Sequence, residues 1–447
     1  MIGALKNSFS RFFLSPRFFL GLGVLVVLYT LAFVFPIILW GVHGLALLLI
    51  AAVCTEYIQL FSYGGIEGSR SLNPKLSNGD DNQIRIELRS NYPFDCPIEV
   101  YDELPIEWQV RNFNYQGFIR EKSNHSIGYT HRPTTRGFFE FGAIQVLAQW
   151  KFGLIKRRFT LQSPSEVHVY PSYLSMLKYE YLAISNHLTM AGIKKIRRVG
   201  QHTEFEKIKE YVAGDDFRTI NWKATARRDK LMANVYQDER SQQVYCLLDK
   251  GRVMNQPFAD MTLLDHAINA SLVLANIAIK KYDKAGIITF DEQQTQTLPA
   301  SRKPGHMTQV QELLYRQDTR FLESDYERLY LQLKRFVPQR SLLILFTNFD
   351  TVSSMKRRLP YLKAMAKNHL LLVVFFENTE TLELLHKKAK NLHDVYRKTV
   401  AEKMRFEKEQ IVSELRKNGI TSLLTSPEDL TINTINRYLE LKARGLI

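Results

Sequence analysis

The sequence has 447 residues and a formal net charge of +15, from 60 Lys and Arg against 45 Asp and Glu. That length accommodates about two to four domains, and the basic balance favours an anionic partner such as a membrane surface, a nucleic acid or an acidic protein. The three cysteines lie far apart in apolar settings, so no disulfide framework is indicated and a reducing compartment is expected.

The N-terminal residues 1–63 are predicted to form a membrane anchor. No residue carries a formal charge from Phe18 to Thr55, and a spanning helix needs about 20 apolar residues, so two spans near 18–36 and 38–60 are predicted. The basic residues that precede them are Lys6, Arg11 and Arg17. The positive-inside rule then predicts a cytoplasmic N-terminus and a cytoplasmic bulk. A cleaved signal peptide is the alternative.

Residues 64–81 are rich in Gly, Ser and Asn, which predicts a linker. Beyond them apolar and polar residues alternate with a period of two, as in Ile84–Leu88 and Ile98–Val100. Asn, Pro and Gly separate these runs, as is typical of short antiparallel strands. Residues 82–171 are therefore predicted to form a small antiparallel β-sandwich.

The most distinctive polar stretch is Gly200–Arg228, within a connecting segment at 172–240. Thr203 and Glu206 match a capping box, and a short amphipathic helix ending at Gly214 is predicted. The apolar residues that recur at helical spacing in it are Phe205, Ile208 and Val212.

This stretch resembles the core signature of the domain of unknown function 58 family. The matching residues are Glu204, Phe205, Glu210, Tyr211, Gly214, Asp215, Asp216, Arg218, Ile220, Trp222, Lys223, Ala226 and Arg227. The resemblance implies a bacterial protein with a von Willebrand factor A-like domain, often encoded beside a MoxR-type AAA+ ATPase. We expect the signature residues either to form a buried ion-pair network between two domains or to contact a partner.

Residues 241–447 alternate short apolar runs with helical patterns. Runs such as Val244–Asp249 and Ser341–Thr347 predict buried strands of a largely parallel, doubly wound α/β sheet. The resemblance identifies this part as the von Willebrand factor A-like domain. Dense mixed charge from Glu377 to Gly419 predicts one long amphipathic helix, which either covers a sheet face or projects to bind a partner.

Parallel sheets place their sites at the carboxyl ends of the strands. A von Willebrand A-type metal site resembles D-x-S-x-S, because a hard divalent cation needs several oxygen ligands at once. Residues 249–253 read DKGRV and lack both hydroxyls. We therefore expect no metal and no other cofactor, with Asp249 pairing with a cation or capping its loop. The residues of this degenerate site, called here the Asp249 face and expected to serve in docking, are Asp249, Gly251, Asn348 and Asp350.

No spacing typical of a zinc protease, a P-loop or a serine hydrolase occurs, so no enzymatic activity is expected. By its resemblance the protein is expected to be an adaptor in the bacterial inner membrane, facing the cytoplasm. It would act with a MoxR-type AAA+ ATPase, and with other von Willebrand A-like membrane proteins as further candidates, in remodelling or maturing protein complexes.

Two alternatives stay open. One is a metal-dependent ligand-binding module of the von Willebrand A type. The other is a protein that binds anionic lipid or nucleic acid through its basic excess, which predicts affinity that falls steeply with salt. The basic run Lys194–Arg198 has no interleaved aromatic residues to stack on bases, so lipid is favoured and no nucleic-acid partner is expected.

Overall fold

The computed structural model of the chain describes residues 11–110, 113–184, 204–212, 215, 217–228, 230–237, 241–319, 321–377, 379–386, 389 and 391–446. The chain divides into two compact units, residues 1–77 with 81–169 and residues 78–80 with 170–447.

Two apolar helices open the first unit: α1, Pro16–Val34, and α2, Leu39–Ser62. Both are long and apolar enough to cross a membrane and expose most of their surface, which confirms the prediction of two such helices. Pro36 separates them, because the residue before a proline is disfavoured in helical geometry; Phe35 has φ −122° and ψ 84°. A third apolar helix, Leu263–Lys280, is buried inside the second unit.

Antiparallel strands build the rest of the first unit. They are β1 (Phe12–Leu14), β2 (Ile66–Leu72), β3 (Lys75–Ser77), β4 (Asn82–Ser90), β5 (Cys96–Asp102), β6 (Tyr115–Ile119), β7 (Asn124–His131), β8 (Gly137–Phe141), β9 (Ile144–Gln149), β10 (Ile155–Leu161) and β11 (Ser165–Tyr170). Among the described residues the sheet orders are β1-β10-β9-β5-β6, β2-β4-β7 and β3-β11-β8. Buried Ile86, Val100 and Ile155 belong to one core shared by the first two sheets. β4 alternates buried and exposed residues throughout, as its period-two sequence predicts.

The predicted linker at 64–81 is wrong, because β2 and β3 lie within it. Its small residues serve close strand packing: a Cβ on Gly68 would come within 2.5 Å of the Glu87 carbonyl oxygen. Arg70 of β2 is buried, forms an ion pair with Asp102 and donates to the Gly142 carbonyl at 3.0 Å. Gly and Ser thus mark a tightly packed strand here.

The second unit begins with α3, Tyr173–Ile184. The helix predicted over 203–214 is wrong, because Glu204–Glu210 forms strand β12. α4 (Trp222–Arg228) follows, and β13 (Met232–Gln237) pairs antiparallel with β12. The register shifts between Phe205 and Lys207, so an extra residue enters β12 there. This bulge lengthens the apolar spacing from two to three, which imitates a helix.

A predominantly parallel sheet forms the centre of the second unit. Its strands and the short hairpin β15–β16 are β14 (Gln243–Asp249), β15 (Pro257–Phe258), β16 (Met261–Thr262), β17 (Lys284–Phe290), β18 (Thr295–Ser301), β19 (Leu342–Phe346), β20 (Leu370–Phe376) and β21 (Thr421–Thr425). The described strands follow the order β18-β17-β14-β19-β20-β21, with only β18 antiparallel to its neighbour. The chain therefore reverses its winding direction between β14 and β19, and their carboxyl ends lie side by side.

Helices cover both faces of this sheet. The helices after β14 are α5 (Leu263–Lys280), α6 (His306–Tyr315), α7 (Tyr326–Phe336), α8 (Val352–Asn368), α9 (Thr379–His386), α10 (Leu392–Lys417) and α11 (Leu430–Ala443). Helices α5, α6 and α11 share one apolar core with the sheet, and α7, α8 and α10 share the other. The single long helix predicted over 377–419 is thus two helices, and Asn391 starts the second by capping the N–H of Asp394.

Candidate functional sites

The described signature residues lie on an exposed hairpin, β12–β13, and its connection rather than in a buried network. Asp215 closes the connection after β12: its carboxylate accepts from Lys209 Nζ at 2.8 Å and from the Val212 N–H at 3.0 Å. These two donors hold the pKa of Asp215 below its ordinary value. Tyr211 Oη also donates to the Asp215 carbonyl, at 3.1 Å.

A second ion pair joins the two strands of the hairpin, from Lys230 Nζ to Glu210 at 2.7 Å. Both side chains are more than half exposed, so solvent screens the pair and it adds little stability. Among the described signature residues, the expectation of a buried ion-pair network is therefore wrong. Gly214 and Asp216 lie outside the described residues, as do the side chains of Glu204 and Phe205.

Aromatic and basic side chains project from the connection and from α4. Phe217 and Trp222 are each 70% exposed, and the Arg218 guanidinium lies 5.8 Å from the Phe217 ring centroid. Exposed Trp and Arg are the residue types that most often dominate protein interfaces. The residues of this aromatic–basic surface are Phe217, Arg218, Trp222, Lys223 and Arg227.

At the carboxyl end of β14, Asp249 is fully buried and its carboxylate is surrounded by donors. Oδ1 accepts from the Gly251 N–H at 2.8 Å and from Ser324 Oγ. Oδ2 accepts from Thr347 Oγ1 at 2.6 Å and from Tyr326 Oη at 3.1 Å. Burial and the Asp249 charge raise the pKa of Tyr326 well above its ordinary value, so its hydroxyl stays a donor.

The hydroxyls that the DKGRV segment lacks are thus supplied by distant residues. Thr347 follows β19, a position that the sequence pattern could have suggested, whereas nothing in the sequence marks Ser324 or Tyr326. Gly251 is required sterically, since a Cβ there would lie 2.1 Å from Ser324 Oγ. Asp249 caps its loop through Gly251, which is one of its two expected roles.

The positive charges next to Asp249 are paired with other acids. Buried Lys250 lies 3.2 Å from buried Asp291, and exposed Arg252 lies 2.9 Å from Glu323. Burial opposes ionisation of Asp291, but backbone N–H groups and Lys250 together hold its pKa below the ordinary value. Because Lys250 and Arg252 pair with other acids, the side-chain donors to the Asp249 carboxylate are the hydroxyls of Ser324, Tyr326 and Thr347.

A lysine from α10 reaches the other half of the Asp249 face. Lys408 Nζ donates to Asn348 Oδ1 at 2.6 Å and to the Phe349 carbonyl at 2.8 Å. Gln256 bridges Asn348, at 3.3 Å, and Asp350, at 3.2 Å. Within the described residues no three His, Cys, Asp or Glu side chains converge as metal ligands. Four donors already contact the Asp249 carboxylate, and the Lys408 ammonium group donates to Asn348 Oδ1.

We expect Lys408 to make the stability of the second unit depend on pH. Burial lowers the pKa of Lys408 from 10.5 to about 8, although Asp350 and Glu377 oppose the shift. Between these pH values the unfolded chain keeps a proton that the folded chain releases, so the free energy of unfolding rises with pH. Between pH 8 and 10.5 we expect the free energy of unfolding of wild type to rise by up to about 3 kcal/mol relative to that of Lys408→Met. Urea titrations at both pH values check this, and parallel pH profiles for the two proteins would contradict it.

A family match lies in the second unit. Residues 207–414 match the model of the family described as protein of unknown function DUF58. The uncharacterized protein YeaD of Bacillus subtilis (strain 168) is 23% identical over 203 residues, which cover 43% of this chain. The chain covers 50% of that relative's length.

Solved structures add only weak likenesses. The CARDB domain of the PF1109 protein from Pyrococcus furiosus is 9% identical, with 25% of this chain and 97% of that chain covered and a TM-score of 0.18. Proximal thread matrix protein 1 from the mussel byssus is 8% identical, with 45% and 47% covered and a TM-score of 0.26. TM-scores this low carry no argument about fold. The informative similarity is therefore the DUF58 match, which runs from β12 of the signature hairpin into α10.

Proposed function

We propose that this protein is a membrane-anchored adaptor that docks a protein partner on its aromatic–basic surface. The observation that carries the proposal is the exposure of Phe217 and Trp222 within the segment matched to the family. A solvent-exposed aromatic side chain buries apolar surface when a partner covers it, and this burial favours binding. The two long apolar helices, α1 and α2, support the anchoring.

The partner we propose is a MoxR-type AAA+ ATPase, which would supply the energy for remodelling or maturing protein complexes. This choice rests on the resemblance of the signature residues. In the same proposal the second unit is a doubly wound von Willebrand factor A-like domain that has lost its metal. Three basic residues support a cytoplasmic orientation: Lys6 and Arg11 precede α1, and Arg17 lies in its first turn. We propose no catalytic role.

Trp222→Ala is expected to reduce recovery of the partner about tenfold or more, since truncating a central interface aromatic often costs at least about 2 kcal/mol. The measurement is a pull-down of detergent-solubilised protein from its native membrane, with and without ATP, followed by mass spectrometry. Recovery of an AAA+ ATPase that depends on nucleotide and on Trp222 supports the proposal.

Phe336→Ala is the matched control. Phe336 is an exposed aromatic in the same unit whose ring also lies beside an arginine, with Arg335 Cζ 5.2 Å from its centroid. Its replacement is expected to leave partner recovery unchanged. Equal losses in both variants, or recovery of no ATPase under either nucleotide condition, would contradict the proposal.

A further inference from the structure

A short loop of the first unit lies at the point where both apolar helices meet the sandwich. It is called here the junction loop, Trp150–Leu154, between β9 and β10. It contacts the first turn of α1, because Arg17 Nη1 donates to the Phe152 carbonyl at 3.2 Å. Just before α1, the Ser15 N–H donates to the Leu154 carbonyl at 2.9 Å.

The other helix holds the same loop through a buried carboxylate. Glu56 of α2 accepts from the N–H groups of Gly153 at 2.6 Å, Leu154 at 2.8 Å and Ile155 at 2.9 Å. Glu56 lies six residues before the helix ends at Ser62, or about 9 Å along the helix axis at 1.5 Å per residue. The loop is therefore fixed beside the last two turns of α2.

That position is the headgroup level if the helices span a membrane. A spanning helix uses about 20 residues for the hydrocarbon core. The apolar helical span Pro36–Ser62 has 27 residues, so about its last seven, from Glu56 to Ser62, extend past the core. Tyr63, at the end of α2, lies 6.1 Å from the Phe94 ring, and Phe94 lies 6.2 Å from the Trp150 ring. Aromatic side chains of this kind gather at membrane–water interfaces.

The junction loop itself combines exposed apolar and basic groups. Phe152 is 55% exposed, although its ring lies only 5.6 Å from that of Trp150. Lys151 and Arg17 are exposed beside them, with Lys151 Nζ 5.9 Å from the Trp150 ring centroid. An aromatic ring that enters the acyl boundary and a cation that stays at the phosphate level are the two contacts that bind an anionic leaflet.

We propose that the junction loop is a binding site for anionic phospholipid headgroups. Arg17 and Lys151 pair with the lipid phosphate, and Phe152 enters the acyl boundary while Trp150 lies at its edge. The junction loop lies directly beside the apolar helices, since α1 and α2 both form hydrogen bonds with it. Its positive charge complements an anionic leaflet. This proposal rests on the membrane anchoring in the proposed function and adds its lipid selectivity.

Trp150 can report its own surroundings, because the sequence has only four tryptophans. The test uses the full chain with Trp40→Phe, Trp108→Phe and Trp222→Phe, reconstituted in vesicles of phosphatidylcholine and phosphatidylglycerol. Bromine is carried on the acyl chains of one lipid or the other at equal mole fraction. We expect brominated phosphatidylglycerol to quench Trp150 about twofold more strongly, since basic residues near the membrane surface attract anionic lipid to the loop.

Replacing Arg17 and Lys151 together by alanine is expected to remove that preference. Arg132→Ala is the matched control: exposed Arg132 follows β7, whose end pairs with Asn82, at the far end of β4 from the helices. Equal quenching by both lipids overturns the lipid selectivity. Quenching of Trp150 by aqueous acrylamide instead of bromolipid also overturns the headgroup site. The exposed loop would then be a candidate protein-binding surface.

An alkaline wash of the vesicles separates this inference from the proposed function. Protein that resists the wash while Trp150 stays unquenched by lipid retains its anchor and contradicts only the headgroup site. Protein that the wash extracts is not anchored, which overturns the membrane part of the proposed function and this inference with it.

Discussion

Glu56→Ala is expected to lower the free energy of unfolding of the first unit by about 3 to 5 kcal/mol. The substitution leaves the N–H groups of Gly153, Leu154 and Ile155 without their acceptor, and each buried donor that loses its partner costs about 1 to 3 kcal/mol. Partial access of water to the junction loop keeps the sum below the maximum. Thermal unfolding in detergent, followed by near-ultraviolet circular dichroism, measures the loss.

Two further variants separate this role from a general effect of removing a charge. Glu56→Gln keeps one acceptor oxygen but directs an NH2 group at a backbone donor, so an intermediate loss is expected. Glu107→Ala removes an exposed acid of the same unit, and surface changes of this kind usually stay within about 0.5 kcal/mol. If Glu56→Ala and Glu107→Ala unfold alike, the carboxylate does not hold the loop.

The two apolar helices were predictable because length and composition are local properties of a segment. The role of Glu56 was not, since in the sequence it is only the first charge after a long uncharged stretch. Its three donors lie 97 to 99 residues away. A carboxylate whose donors lie in a distant loop leaves no periodic pattern in the sequence around it.

The signature hairpin shows how a local pattern can predict the wrong element. Positions 205 and 208 are three apart, yet they pair with Tyr236 and Asn234, which are two apart. The bulge therefore places both positions at the spacing of one strand face, while the sequence spacing matches a helix turn. Of the capping-box match, Glu206 is the position that the strand register skips, and Thr203 lies outside the described residues.

The parallel strands were predicted from their continuous apolar runs, and their buried residues confirm that pattern. Asp249 was predicted to lie at the carboxyl end of a strand because it ends the apolar run Val244–Asp249. Its partners did not, because Ser324, Tyr326 and Thr347 come 75, 77 and 98 residues later. The D-x-S-x-S motif has hydroxyls two and four residues after its Asp. In this fold the hydroxyls that contact Asp249 come from distant segments of the chain.

Asp249→Ala is expected to lower the free energy of unfolding of the second unit by about 3 to 5 kcal/mol, as for other buried polar networks that lose their central charge. Three hydroxyls and the Gly251 N–H would lose their common acceptor. Asp249→Asn keeps one oxygen, and the hydroxyls can reorient toward it, so a loss of about 1 to 2 kcal/mol is expected. Asp318→Ala, at an exposed acid of the same unit, is the control.

The same variants test the alternative of a metal-dependent binding module. With its carboxylate already saturated by donors, wild type is expected to show the same thermal midpoint with and without Mg²⁺, Mn²⁺ or Ca²⁺. A ligand that binds only the folded state must raise that midpoint as its concentration exceeds Kd. A rise in wild type that Asp249→Asn abolishes and Asp318→Ala retains would therefore establish the metal-dependent alternative. An unchanged midpoint in all three proteins would contradict the metal-dependent alternative and leave Asp249 as the centre of a buried hydrogen-bond network.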